Sequence, residues 1–254
     1  MSQVTYDFSG KVAIVTGAGV GIGRASALAF ARAGASVVVA DVNVDTSRET
    51  VDLIEAEGGT ALAVTTDVAS SDSVQAMVAR TIEAFGRLDF AHNNAGVAGD
   101  DHPVADIPEA EWDRVQGVML RGVYLCMKYE LPHLLAEGGA IVNTASGAGL
   151  IAYPNQAPYV SSKHGVLGLT KTAALEYGKL GVRINAVCPG TVLTPMVEKV
   201  IEEQGLEPAL VALHPIGRIG TPEEVADAVL WLCSDGASFV IGHALSVDGG
   251  YVIP

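Results

Sequence analysis

The sequence predicts a doubly wound α/β fold, a parallel sheet with helices on both faces, and three observations carry that expectation. Short apolar runs alternate with longer helix-forming stretches along almost the whole chain. The first run leads into a glycine-rich turn, Thr16-Gly-Ala-Gly-Val-Gly-Ile-Gly23, which opens onto a segment rich in Ala and Leu. No linker, repeat or low-complexity stretch divides the alternation, so residues 1–254 read as one domain. Strict alternation calls for parallel strands, because successive strands run the same way only when a crossover joins them.

Each element has its own signal. The apolar run 12–15 is a strand, 22–33 a helix and 35–40, Ala-Ser-Val-Val-Val-Ala, a second strand. A helix over 44–57, a strand over 61–66, a helix over 71–85 and a strand over 88–92 follow. Beyond a loop at 96–106 come a long helix over 109–136, a strand over 140–144, a helix over 159–177 and a strand over 183–187. Thr221-Pro-Glu-Glu opens a helix to residue 232, with an N-cap threonine and proline at the first helical position. Leu245-Ser-Val before Asp248-Gly-Gly is the last strand. In such sheets ligands bind beyond the carboxyl ends of the strands, where the strand order reverses.

Composition narrows the function. With 254 residues, 49% hydrophobic and 17% charged, the chain can bury one substantial core. A formal charge of −14 repels phosphate backbones and anionic membrane surfaces, so no nucleic-acid or membrane partner is expected. No signal peptide or membrane span is legible, and the expected location is the cytoplasm. Cys126, Cys188 and Cys233 are odd in number and set in apolar stretches, which predicts buried free thiols. His102, His164 and His214 lack metal-ligand spacing, so no metal is expected.

The glycine turn suits a pyrophosphate: glycines keep it tight, backbone N–H groups approach the anion, and the following helix N-terminus favours negative charge. Its spacing, with Gly17, Gly21 and Gly23, differs from the common G-x-G-x-x-G pattern. Asp41 ends the second strand, where a carboxylate accepts hydrogen bonds from ribose hydroxyls and repels a 2′-phosphate. No Lys or Arg precedes Gly21 in the turn, so NAD is the expected cofactor rather than NADP.

Two Tyr-x-x-x-Lys pairs, Tyr124/Lys128 and Tyr159/Lys163, each place a phenol and an ammonium on one helix face. Only the second follows a serine, Ser146, across a strand-to-helix loop. Together with the glycine spacing, Asn93-Asn-Ala-Gly96 and Pro189-Gly190, this arrangement resembles the short-chain dehydrogenase/reductase family over essentially the whole chain, which implies a Rossmann-type sheet. The resemblance implies Tyr159 as general acid/base, Lys163 as the ammonium that lowers its pKa and holds the cofactor ribose, and Ser146 as hydrogen-bond donor to the substrate oxygen. It also implies cofactor contacts from Gly17, Gly21, Ile22, Gly23 and Asp41, from Asp67 and Val68 beside adenine, and from Asn93, Ala95 and Gly96. Pro189, Gly190, Val192 and Thr194 are implied to close over the nicotinamide.

One position departs from the family pattern. Where an Asn is usual in the long helix, the chain reads Val118-Met119-Leu120-Arg121-Gly122-Val123, and a thioether donates no hydrogen bond. The expectation is a working but slowed enzyme in which Gln116, one turn earlier, reaches the polar site. A rival expectation is an NAD-binding sensor or scaffold. The substrate pocket is expected behind a lid at about 191–217, walled by Leu150, Ile151, Tyr153, Met196, Val197, Leu206, Leu210 and Leu213. Apolar walls around one polar centre suit a small hydrophobic secondary alcohol or ketone. Stretches such as Cys126-Met-Lys-Tyr129 are similar to bacterial dehydrogenases of cyclic alcohols and diols; the enzymatic alternative is a 3-oxoacyl carrier-protein reductase. The family also implies a homotetramer built through the long helix, the Tyr-Lys helix and the C-terminal strand region.

Overall fold

A computed structural model describes residues 5–253. Seven strands form one parallel sheet: β1 (Val12–Thr16), β2 (Ser36–Asp41), β3 (Thr60–Thr65), β4 (Phe90–Asn93), β5 (Gly139–Thr144), β6 (Val182–Pro189) and β7 (Ala244–Val247). Their spatial order is β3-β2-β1-β4-β5-β6-β7, so the order reverses between β1 and β4 and opens a crevice at their carboxyl ends.

The helices fill both faces. Helix α1 (Gly21–Arg32), α2 (Val44–Ala56) and α3 (Ser71–Phe85) connect the first four strands. Asn43 caps α2 by accepting from the backbone of Asp45 and Thr46, and Ser70 caps α3, which fixes both starts where the sequence places them. Helix α6 (Ala157–Tyr177) joins β5 to β6, and α9 (Pro222–Cys233) joins the lid to β7 behind a Thr221–Glu224 capping box.

The sheet is buried on both sides, and side chains alternate between two cores with the period of two that a strand dictates. Ile14, Val38, Ile141 and Ile184 point to one core, with Met77 of α3 and Val166 of α6. Val15, Val37, Val142 and Val187 point to the other, with Phe30 of α1 and Val229 of α9. The sequence therefore shows near-continuous apolar runs rather than alternation.

Two departures from the sequence expectation bear on function. The long helix is α4 (Glu109–Gln116) and α5 (Gly122–Leu134) joined by a π turn over Gly117–Arg121, which carries Met119. Such turns leave the i→i−4 ladder and concentrate at functional sites. The lid is two short helices, α7 (Pro195–Gln204) and α8 (Glu207–Ala212), separated at Gly205, whose φ of +64° ends α7 in the left-handed region. Among the described residues no helix is long and apolar enough to cross a membrane, and no cluster of three His, Cys, Asp or Glu side chains is placed to hold a metal. The three cysteines are buried and free.

Candidate active site

The glycine turn sits at the crevice between β1 and β4. Gly17 and Gly21 adopt φ of +63° and +55°, which L side chains avoid. A Cβ at Gly23 would collide with the Gly17 carbonyl, so helix and turn pack backbone to backbone. Gly19 is a fourth required position that the motif spacing overlooked: a Cβ there would strike Thr46 Oγ1 and approach Asp41 Oδ2 at 2.9 Å. Val20, the α1 N-cap, offers no side-chain acceptor, and the first turn holds no acid. The helix N–H groups are left for an anion, and the bare cradle fits a pyrophosphate.

Asp41 lies beside this cradle. Its Oδ2 accepts from Gly19 N at 2.9 Å and its Oδ1 from Asn43 N at 3.0 Å. Arg24 is directed away onto α2, donating to Glu49 Oε2 at 2.9 Å and to Thr50 Oγ1 at 3.0 Å. The cation nearest the turn in sequence is thus already paired with a carboxylate.

A hydrogen-bonded chain ties the turn to the other half of the site. Thr16 Oγ1 accepts from Asn94 N at 2.9 Å and Ala95 N at 3.1 Å, while Asn94 Nδ2 donates to the Thr16 carbonyl at 3.1 Å. Thr144 Oγ1 donates to Asn94 Oδ1 at 3.3 Å and meets His92 Nε2 at 2.9 Å. Burial holds His92 neutral, its pKa pushed down to about 3. The Thr144 carbonyl accepts from Lys163 Nζ at 2.8 Å.

Ser146, Tyr159 and Lys163 converge where β5 ends and α6 begins. Lys163 is 3% exposed, and its ammonium lies 5.7 Å from the Tyr159 ring centroid. Desolvation draws Lys163 down to about 8, and the neighbouring Cys188 opposes that. Burial raises the Tyr159 phenol above its usual value while the Ser146 hydroxyl pulls it back. Burial is thus the larger influence on the phenol in the protein alone, and Lys163 is itself desolvated and directed at the Thr144 carbonyl. Ser146 Oγ accepts from Ala148 N at 3.1 Å, which leaves its proton free to donate.

Other expected cofactor residues fall into two groups. Ala95 packs its Cα against Gly17, and Gly96 faces Met119, whose Cε lies 3.3 Å from the Cβ position of the glycine. Ile22 occupies the first turn of α1, and Thr194, the residue before α7, sets its methyl 3.1 Å from the Cβ position of Gly21, so the lid starts on top of the cradle. Pro189 ends β6; Gly190 packs against His214 and Asp248, and Val192 bridges to Gly220. Asp67 is exposed, its Oδ1 accepting from Ala69 N at 2.9 Å, and α3 is capped by Ser70 rather than by this acid.

The side chains of Asn93 and Val68 turn away from the crevice. Asn93 Nδ2 donates to Glu130 Oε2 and to Asn143 Oδ1, both at 3.1 Å, inside the core, because the last residue of β4 alternates inward. Val68, 6% exposed, packs on Gly122. Any cofactor contact from these two runs through their backbone. Asn94, the neighbour in the same Asn-Asn pair, does the buttressing instead.

Gln116 also differs from expectation. Its amide donates to the Pro158 carbonyl at 3.0 Å and to Ser161 Oγ at 2.7 Å, tethering the π-turn region to the residues on either side of Tyr159. It holds the turn that bears the phenol rather than entering the polar site. Met119, 3% exposed, fills its position with apolar volume.

Residues 17–252 match the family profile described as enoyl-(acyl carrier protein) reductase. The chain is 48% identical to cyclohexanol dehydrogenase of Acinetobacter sp. strain SE19, covering 96% of each. This chain is a short-chain dehydrogenase/reductase. It is also 46% identical to a 2,5-dichloro-2,5-cyclohexadiene-1,4-diol dehydrogenase of Sphingobium indicum, covering 96% of this chain and 98% of that one. Among solved structures, carveol dehydrogenase from Mycobacterium avium in complex with NAD superposes with a TM-score of 0.94 at 31% identity, covering 98% of this chain and 100% of that one. As a short-chain dehydrogenase/reductase the protein is an enzyme of oxidation and reduction, and the fold expected from the sequence is the fold observed.

Proposed function

We propose that the protein interconverts a hydrophobic cyclic secondary alcohol and its ketone with NAD(H), using Tyr159 as general acid/base. The observation that carries this reading is the meeting of Ser146, Tyr159 and a buried Lys163 at the end of β5, with Lys163 fixed by the Thr144 carbonyl. The nicotinamide supplies the hydride acceptor or donor when bound. Gly17, Gly19, Gly21 and the α1 N-terminus would hold its pyrophosphate, Asp41 its adenosine ribose, and Thr194 the lid that covers it.

In the oxidative direction the Tyr159 oxygen takes the proton of the substrate hydroxyl, and in reduction it returns one to the carbonyl oxygen. Ser146 donates its free proton to that same oxygen and stabilises the charge developing there. Lys163 stabilises the phenolate electrostatically from behind the ring. The phenol, raised by burial, favours its neutral form at neutral pH, so bringing in the cationic cofactor is what tips it toward the base.

NAD is favoured over NADP because Asp41 borders the ribose position and Arg24 is engaged with Glu49. The cyclic-alcohol substrate rests on the named relatives together with the apolar residues of the lid. A homotetramer is supported by exposed apolar side chains on all three expected surfaces: Tyr124 on α5, Leu175 on α6, and Phe239 with Ile241 before β7. An open cavity of about 670 Å³ lies between α4, α5 and α6, lined by Gln116, Leu120, Tyr124 and Leu169. Three buried free thiols fit a reducing, cytoplasmic setting.

Initial rates with cyclic secondary alcohols and ketones, each with NAD and with NADP, test the reading. Turnover with NAD is expected. Preference for NADP would reject the Asp41 argument, activity only on 3-oxoacyl thioesters would select the carrier-protein reductase, and tight NAD binding without turnover would select the sensor.

A further inference from the structure

The segment after Ser146 meets the last turn of the chain. A Cβ at Gly147 would come within 3.1 Å of Val252 Cγ1, 3.2 Å of Tyr251 Cδ1 and 3.5 Å of the Tyr153 hydroxyl. The bare glycine thus brings two tyrosines against the residue that follows the catalytic serine. Their rings lie 6.0 Å apart, tilted by 34°.

Tyr251 is held rigidly. Its other face stacks on His214 at 5.0 Å and 16°, and His214 is pinned at both nitrogens, Nε2 accepting from Thr191 N at 3.0 Å and Nδ1 donating to the Leu210 carbonyl at 2.7 Å. Asp248 closes the turn below it, accepting from Gly250 N and Val252 N, each at 3.0 Å. The ring and backbone of Tyr251 are thus fixed, which sets the place of its hydroxyl.

Each phenol carries one O–H donor. Both residues are half-buried, and among the described residues neither phenol makes a hydrogen bond to a protein group. A half-buried donor without a partner costs free energy that a ligand oxygen would recover. The lid carries Leu193, Met196, Leu206 and Leu213 as exposed apolar side chains, against which the pair offers polar groups.

We propose that Tyr153 and Tyr251 form a second polar station in the substrate pocket, donating a hydrogen bond to a substrate oxygen remote from the reacting carbon and selecting cyclic diols and hydroxyketones over cycloalkanols with a single oxygen. The proposal rests on the cyclic-alcohol reading above and goes beyond it in assigning the recognition of a second oxygen to named residues. It adds no chemical step: Ser146 and Tyr159 keep the reacting oxygen, while the station orients the far side of the ring.

The test is kcat/KM at saturating NAD for cyclohexanol and for the isomeric cyclohexanediols, with the wild type, Tyr153→Phe and Tyr251→Phe. The wild type is expected to favour at least one diol by about tenfold, since a site built to bond a hydroxyl discriminates against the analogue lacking it. Each Phe variant should erase that preference, mainly through the KM for the diol, so that its loss on the diol exceeds its loss on cyclohexanol by about tenfold. Equal losses on both substrates would assign the pair to packing, and a wild type indifferent to the second oxygen would likewise overturn the proposal. A wild type that turns over neither class defeats the cyclic-alcohol reading itself and the station with it. NAD binding by fluorescence quenching, unchanged in both variants, shows that they are folded.

Discussion

Glu130 gives the sharpest stability prediction. It projects from α5 into a buried cluster with Asn93, Asn143 and Thr170, 0% exposed, and accepts only from Asn93 Nδ2 at 3.1 Å; its second oxygen has no partner among the described residues. Burial raises its pKa from 4.5 to about 7 against the opposing Asn93 bond. The nearest titratable neighbour, Cys126, sits one turn back and is itself pushed up by burial and by this carboxyl. The folded state therefore binds a proton that the unfolded state releases, so stability falls as pH climbs from 4.5 through 7. Above that window the buried charge costs about 3 kcal/mol, from the rise in pKa.

Glu130→Gln removes that cost while keeping an acceptor for Asn93, and it supplies a donor where Asn93 Oδ1 lacks one. Urea unfolding should show the variant about 3 kcal/mol more stable at pH 8 and within about 1 kcal/mol of wild type at pH 5. Thermal midpoints should differ by roughly 6 °C at the higher pH. A gap of the same size at both pH values, or a variant less stable at pH 8, would refute the argument.

Other expectations concern catalysis. Tyr159→Phe should lower kcat by about 10²–10⁴ while sparing NAD affinity, and Tyr124→Phe should stay within about twofold; comparable losses would mean that the wrong pair was chosen. Gln116→Ala frees the turn that bears Tyr159, so kcat should fall by about tenfold with NAD affinity intact, and Ser161→Ala should reproduce part of it. Sizing chromatography separates this from loss of assembly, and an unchanged kcat would show the tether to be dispensable. Met119→Asn should raise kcat severalfold and reshape its pH profile, at a stability cost of about 1–3 kcal/mol for a polar group in a buried position; unchanged turnover and profile would show that the side chain was never needed.

The strands, their parallel sense and most helix starts were legible because apolar runs, Asn43, Ser70 and Thr221 each act locally. The meeting of Ser146, Tyr159 and Lys163 was legible through spacing and resemblance. The π turn was not, since nothing in Gly117–Arg121 differs in composition from an ordinary helix, and the lid helices were hidden in a stretch read only as a cover. The inward turn of Asn93 followed from strand alternation, yet the motif drew attention to its identity rather than to its face. Gln116 escaped because its partners lie across a helix–helix contact that sequence distance conceals.

Thr144 has a consequence for how the two halves of the enzyme depend on each other. Its hydroxyl belongs to the chain that starts at Thr16 in the glycine turn, and its carbonyl holds the ammonium of Lys163 beside the Tyr159 ring. The glycine turn and the proposed proton-transfer group thus share one hydrogen-bonded skeleton. A shift in the glycine turn is therefore expected to reach Lys163, and through it Tyr159, by way of Asn94 and Thr144.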